Sequence, residues 1–255
     1  MIKIAFFLIF LIVLIPFNGI TQSISKKKAD NYFGFQYKPL IPVSVVGDRP
    51  FDIGEGPFNS TVSARLGYTY GGVVRIGITE LLAIETGISY TKRRFSIDYE
   101  VPDSSLAASD GLSYINFDIP VNFLVYIKLS DKFYMNSSLG TSLIYYPSNV
   151  RTVLNPEGIH QFIFEGRRMS FFSADVNANV GFEFRTPKNG IFYIGASGKI
   201  PLTPVLRIAT EYRYDTEKFV AFSEIQGAQV SLDFKYFIPY TKTKGTQFKG
   251  GPIEQ

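Results

Sequence analysis

The chain has no cysteine among its 255 residues. That excludes disulfides and thiolate metal sites, and it excludes a lipoprotein anchored through a cysteine just after a signal peptide. There is no tryptophan and one histidine, His160. Any interfacial aromatic belt must therefore come from Tyr and Phe. Beyond the N-terminus no segment reaches about 18 apolar residues in a row, which excludes a helix-spanning protein. Neither sign of charge dominates: the formal net charge is +4. Much of that excess lies in Lys3, the Lys26–Lys28 run, Lys242, Lys244 and Lys249, which flank the central region. Such flanks read as solvated charge, with no nucleic-acid partner implied.

What the sequence does have is alternation. From Tyr114 to Lys128, Ile115, Phe117, Ile119, Val121, Phe123, Val125 and Ile127 share one face. Asn116, Asp118, Asn122 and Lys128 lie on the other. A period of two is a β-strand. Strands of globular proteins run about 5–6 residues, and a tilted membrane-spanning strand needs about 9–11. The same alternation recurs over Phe33–Ile41, Val62–Ile78, Leu82–Tyr90, Phe133–Leu143, Phe172–Phe184, Phe192–Ile200 and Ala228–Ile238. These segments predict eight strands.

Short polar turns at Thr79–Leu81, Leu129–Lys132 and Thr186–Gly190 alternate with long links at Val43–Ser60, Glu100–Gly111, Pro147–Arg168 and Pro201–Ala221. Outer-membrane barrels have short periplasmic turns and longer external loops. The expected fold is therefore all-β: an eight-stranded antiparallel up-and-down transmembrane β-barrel over residues 32–239, with both termini periplasmic. Residues 1–21 read as a signal peptide, with a basic start, an apolar core over Ile4–Phe17 and cleavage before Gln22. Residues 22–31 then form a periplasmic segment, and 240–255 a polar periplasmic tail. Phe133, Phe182, Phe184, Phe192, Phe234 and Tyr236 fall near the short-turn end of the apolar faces. Tyr68, Tyr90 and Tyr145 fall near the other end, which gives two girdle levels. A secreted lipocalin-like barrel would reverse the faces, but the strand length, the two girdles and the Gly- and Ser-rich polar face argue against it.

An eight-stranded barrel has an interior just wide enough for side chains to fill it. Arg65, Arg75, Glu85, Asp118, Asp175, Glu183, Asp233 and Lys235 are expected inside. Counting across the Thr79–Leu81 turn sets Arg75 opposite Glu85. Unpaired buried charge is costly, so these groups predict a plugged, ion-paired lumen rather than an open pore. Outside, Arg93, Arg94, Arg167 and Arg168 lie where strands emerge, and guanidinium pairs suit phosphate, including that of lipopolysaccharide. Asp48, Asp52 and Glu55 form an acidic loop, read as solvated. His160 has no convincing nucleophile partner among Glu157, Glu165 and Ser170. No catalytic, cofactor or metal site is expected.

The chain resembles the PorT-like outer-membrane barrel proteins of Bacteroidetes-type bacteria. The residues that carry this are Phe33-Gly34-Phe35, Gly71-Gly72-Val73-Val74-Arg75-Ile76-Gly77-Ile78 and Glu85-Thr86-Gly87-Ile88-Ser89-Tyr90. Phe117-Asp118-Ile119-Pro120-Val121, Ser138-Leu139-Gly140-Thr141-Ser142 and the leader ending in Thr21-Gln22 add to it. The resemblance implies a Gram-negative outer-membrane barrel without catalytic residues, in a family whose namesake is tied to protein export. The expected function is a non-enzymatic structural or binding component of the outer membrane. Its partners would be outer-membrane lipid, lipopolysaccharide and other outer-membrane or periplasmic proteins. A porin-like small-solute channel and a lipid A-modifying enzyme are the alternatives.

Overall fold

The computed structural model describes residues 30–42, 50–186 and 188–239. The expected signal peptide, most of the segment after it, Asp48 and the C-terminal tail lie outside the described residues. Among those residues the strands are β1 (Tyr32–Ile41), β2 (Phe51–Glu55), β3 (Phe58–Gly77), β4 (Leu82–Val101), β5 (Leu106–Lys128), β6 (Phe133–Tyr145) and β7 (Val150–Leu154). They continue with β8 (His160–Arg168), β9 (Phe172–Thr186), β10 (Gly190–Pro201), β11 (Leu206–Tyr214), β12 (Glu217–Ile225) and β13 (Gln229–Phe237). No described helix is long and apolar enough to cross a membrane.

The main antiparallel sheet runs β1-β13-β10-β9-β6-β5-β4-β3-β2, and β1 pairs with β3 as well as with β13. Apart from β2, every strand of this sheet therefore has a hydrogen-bonded neighbour on both sides. The short turns are tight: the Ile78 N–H donates to the Leu82 carbonyl at 2.9 Å, and the Leu129 N–H to that of Phe133 at 3.0 Å. Gly190 opens β10 at φ +82°, a conformation that side-chain-bearing residues rarely adopt.

Thirteen strands stand where the sequence suggests eight. The expected segments coincide with β1, β3, β4, β5, β6, β9, β10 and β13. The other five lie in or overlap the presumed loops. The link expected over Glu100–Gly111 shrinks to a 3-10 turn at Pro102–Ser104, because β4 and β5 run on as a hairpin paired from Leu82↔Val125 to Val101↔Leu106. β7, β8, β11 and β12 form a second sheet in the order β12-β11-β8-β7. It packs on the prolonged ends of β3, β4 and β5, with β12 beside β2 and β7 beside β5.

The long strands reverse their amphipathicity along their length. On β4 the inner face carries Glu85, Ser89, Thr91 and Arg93, and then Phe95, Ile97, Tyr99 and Val101; all are buried. The outer face passes from Ile84 and Ile88 to Lys92, Arg94, Asp98 and Glu100. On β5 the inner face turns from Leu112 and Tyr114 to Asn116 and Asp118, while the outer face gains Phe117, Ile119 and Val121. The part with the apolar interior, here called the head, closes on one aromatic-rich core. In it Tyr99 meets Phe162 across the two sheets at 4.8 Å between ring centres.

A bulge between Arg65 and Tyr68 shifts the register of β3 against β4. An extra residue in one strand exchanges its faces. Val62 and Ala64 therefore point into the head core rather than outward with Leu66. Arg65 leaves the expected interior and is exposed, its Nε donating to Ser96 Oγ at 3.0 Å.

Candidate functional site

The charged interior is the most highly organised polar site. Arg75 on β3 and Glu85 on β4 are register partners. Arg75 Nη2 donates to Glu85 Oε2 at 2.9 Å, and its Nη1 to Glu183 Oε2 on β9 at 2.7 Å. Strands β3 and β9 are four pairings apart whichever way the order is followed. One guanidinium thus ties opposite sides of the sheet, with its face 3.9 Å from the centre of the Phe237 ring. Glu85 also holds Lys235 of β13. Glu183 accepts from Arg185 Nε at 2.7 Å and from Asn136 Nδ2 at 3.1 Å.

A second cluster lies toward the head. Lys199 on β10 reaches Asp118 on β5 at 2.5 Å and Asp175 at 3.8 Å. Lys38 meets Asp233 at 2.8 Å, and Asn179 and Ser197 donate to the same carboxylate. Lys38, Arg75, Arg185, Lys199 and Lys235 therefore balance Glu85, Asp118, Asp175, Glu183 and Asp233 one for one. Balance matters because each charge removed from water costs several kcal/mol unless partners and hydrogen bonds offset it. The space left between the clusters is a cavity of about 20 Å³ lined by Gln36, Glu85, Ser89, Asp118, Asn122 and Lys199, among others. That is room for roughly one water molecule.

Beyond this polar stretch the inner face gains apolar side chains in both directions, although at the short-turn end Lys128 and Arg185 line a cavity of about 260 Å³ that reaches Arg75. Ala83, Leu124 and Tyr126 are buried toward the short turns, and the head core lies at the other end. Inside the head, burial and nearby Asp110 hold the Tyr99 phenol above its usual range. Its hydroxyl lacks a hydrogen-bond partner among the described residues.

Of the residues expected inside, the structure brings together Arg75, Glu85, Glu183 and Lys235, and separately Asp118 with Asp175. Asp233 joins through Lys38. Lys38, Arg185 and Lys199 complete the network and were not singled out, although each has the parity of the polar face. The residues expected outside divide. Arg93 is buried on the inner face, and its Nη1 donates to the Gly227 carbonyl at 2.6 Å. Strict alternation from Glu85 puts it there, so it leaves the external set. Arg94 is exposed, with its guanidinium 5.8 Å from the Tyr68 ring centre. Arg167 bridges to Glu165 at 2.7 Å, and Arg168 donates to the Pro147 carbonyl at 2.7 Å. His160 sits in the head, with Nδ1 2.8 Å from the Tyr212 hydroxyl and its ring stacked on Tyr214. Asp52 accepts from Thr61 Oγ1 at 2.6 Å. No group of three metal-ligating side chains occurs among the described residues.

The fold is all-β and antiparallel throughout, the class to which outer-membrane barrels belong. No family model matches the chain, and no curated protein does. Among solved structures it is similar to the outer membrane protein OprG from Pseudomonas aeruginosa. The TM-score is 0.46 and the identity 10%, over 85% of this chain and the whole of that one. A likeness at that level assigns no role.

Proposed function

We propose that the protein is an outer-membrane β-barrel of eight strands, closed by the β1–β3 pairing, with both termini in the periplasm. It acts without catalysis, as a structural or binding component whose working surface is the β-structured external head. The membrane reading is supported by large apolar side chains that stay exposed on the outer face, among them Ile119, Val121, Leu139 and Phe192. A contiguous exposed apolar surface of this kind needs a membrane or a partner. It is bounded by Phe133, Phe182 and Phe184 at one level and by Tyr68, Tyr70, Tyr90 and Phe117 at the other. Kinship with the PorT-like proteins rests on the short motifs quoted above, and any tie to protein export rests on that kinship alone.

The single observation that carries the sealed, non-conducting reading is Arg75 crossing from β3 to Glu183 on β9. A pore needs a continuous water path: a cavity of about 260 Å³ reaches Arg75 from the short-turn end, but only about 20 Å³ is left between the ion-pair clusters, and an apolar core fills the head end. His160 is engaged with Tyr212 and Tyr214, which supports a packing role for the only imidazole. Purified protein in a planar bilayer should show no steady unitary conductance. Reproducible open-channel steps from the native chain would replace this reading with the small-solute channel.

A further inference from the structure

We propose that Arg65, Lys92 and Arg94 form a site for the phosphate of an outer-leaflet lipid. The bulge in β3 brings them together. Arg65 stands opposite Arg94, and Tyr68 opposite Lys92, all on the outer face. Like charges directly opposite across two strands repel unless something lies between them. Among the described residues no carboxylate is within ion-pair distance of any of the three. Elsewhere on the head, Arg167, Arg207 and Arg213 each hold a glutamate. Arg151 lies singly, facing Glu165 across the β7–β8 ladder, and Arg168 donates to the Pro147 carbonyl. Arg65, Lys92 and Arg94 instead stand together, at the level where the outer face changes from apolar to polar.

What lies below them fixes the kind of ligand. Tyr68, Tyr70 and Tyr90 cluster immediately beneath, with ring centres 5.1–6.4 Å apart. Next to them Leu66 and Ile88 are 60% and 59% exposed. Arg94 already leans over the Tyr68 ring. Guanidinium groups bind phosphate oxygens through paired N–H donors and suit a lipid headgroup at this depth. The acyl chains would lie along Leu66, Tyr70 and Ile88. The ligand is thus an amphiphile with a phosphate at the interface. Its commonest source in an outer leaflet is a phosphorylated glycolipid of the lipid A kind.

This site rests on the outer-membrane reading, and the test separates the two. Full-length protein in zwitterionic detergent micelles is mixed with lipid A, with dephosphorylated lipid A or with inorganic phosphate, and bound lipid is counted by native mass spectrometry. The native chain should retain one lipid A and hold the dephosphorylated lipid at least ten-fold more weakly. Millimolar phosphate should not displace lipid A. Arg65→Gln/Arg94→Gln should lower lipid A retention at least ten-fold, and Arg207→Gln, which removes a paired cation, should not. Equal retention by the double variant, or displacement by phosphate alone, overturns the lipid site. Both proteins should migrate faster on a gel unboiled than boiled, as a closed barrel does. A native chain without that shift contradicts the outer-membrane reading itself, and the site with it.

Discussion

The same three strands build two regions of opposite design. In the lower region β3, β4 and β5 turn Glu85, Asp118 and Arg75 inward and expose Ile88 and Ile119. In the head they bury Ile97, Tyr99 and Leu112 and turn Asp98 and Glu100 outward. Hydrogen bonding is continuous through the change, with Arg94↔Ser113 and Tyr90↔Phe117 in one unbroken hairpin. Backbone geometry therefore does not distinguish the regions; on the outer-membrane reading proposed above, the solvent around each does. An apolar interior is the ordinary solution in water. A polar interior with an apolar exterior is stable only where hydrocarbon replaces water.

The largest effect should come from breaking the lower interior. Arg75→Met leaves Glu85 with Lys235 and Glu183 with Arg185, and the interior network as a whole with four cations for five carboxylates. The cost should be about 3–5 kcal/mol, the range for stripping one partner from a buried pair, read by urea unfolding in lipid vesicles. Adding Glu85→Gln should recover part of the loss by restoring balance, whereas strictly additive losses would mean a wet, screened interior. Next comes the outer face of one strand. Ile119→Arg should cost about 2–4 kcal/mol, because it puts a cation in lipid. Ala107→Arg, on the same face of β5 but in the head, should change stability by less than about 0.5 kcal/mol. Equal losses would erase the boundary between the regions.

Smaller changes should separate the regions by where they act. Ile97→Val trims the head core and should cost about 0.5–1.5 kcal/mol. Hydrogen exchange should quicken for head amides and stay unchanged around Glu85. The smallest effect is a gain. The buried Tyr99 hydroxyl has no partner among the described residues, so Tyr99→Phe should stabilise the head by up to about 1 kcal/mol. Because the folded Tyr99 phenol is held above its usual range, the unfolded chain ionises first as pH rises through about 10. The titration of Tyr99 thus costs nothing below that pH and lowers the stability of the chain above it. Alkaline titration of the phenylalanine variant should show a shallower loss than the native chain.

The lower region was legible because its strands alternate without interruption between two unlike surroundings. Arg75 opposite Glu85 follows from counting across a three-residue turn. The head was harder. β7, β11 and β12 are short, and the turns and glycines between them resemble loop sequence. The signal was nonetheless present in β4, where apolar residues move from the even positions Ile84 and Ile88 to the odd positions Phe95, Ile97 and Tyr99. A strand whose hydrophobic parity changes without a bulge is changing solvent, whereas in β3 the bulge changes the parity of the backbone itself. In β3 the bulge cancels the reversal, so apolar residues keep even numbers from Val62 to Ile78 and parity alone puts Arg65 inside, whereas in β4 the reversal shows and strict parity from Glu85 puts Arg93 inside. The ties across the interior join residues as far apart as 85 and 235, a distance that local periodicity does not encode.

Because the chain has no cysteine, single-cysteine variants can carry a nitroxide without background labelling. Labels along the outer face of β4 and β5, at Ile88, Ile119, Lys92, Asp98 and Ala107, would be compared in lipid vesicles for collision with oxygen and with a water-soluble nickel complex. Oxygen should dominate at Ile88 and Ile119, nickel at Asp98 and Ala107, and the crossover should fall near Lys92. Nickel access of equal strength at all five positions would contradict the account, because the apolar outer face would then be standing in water.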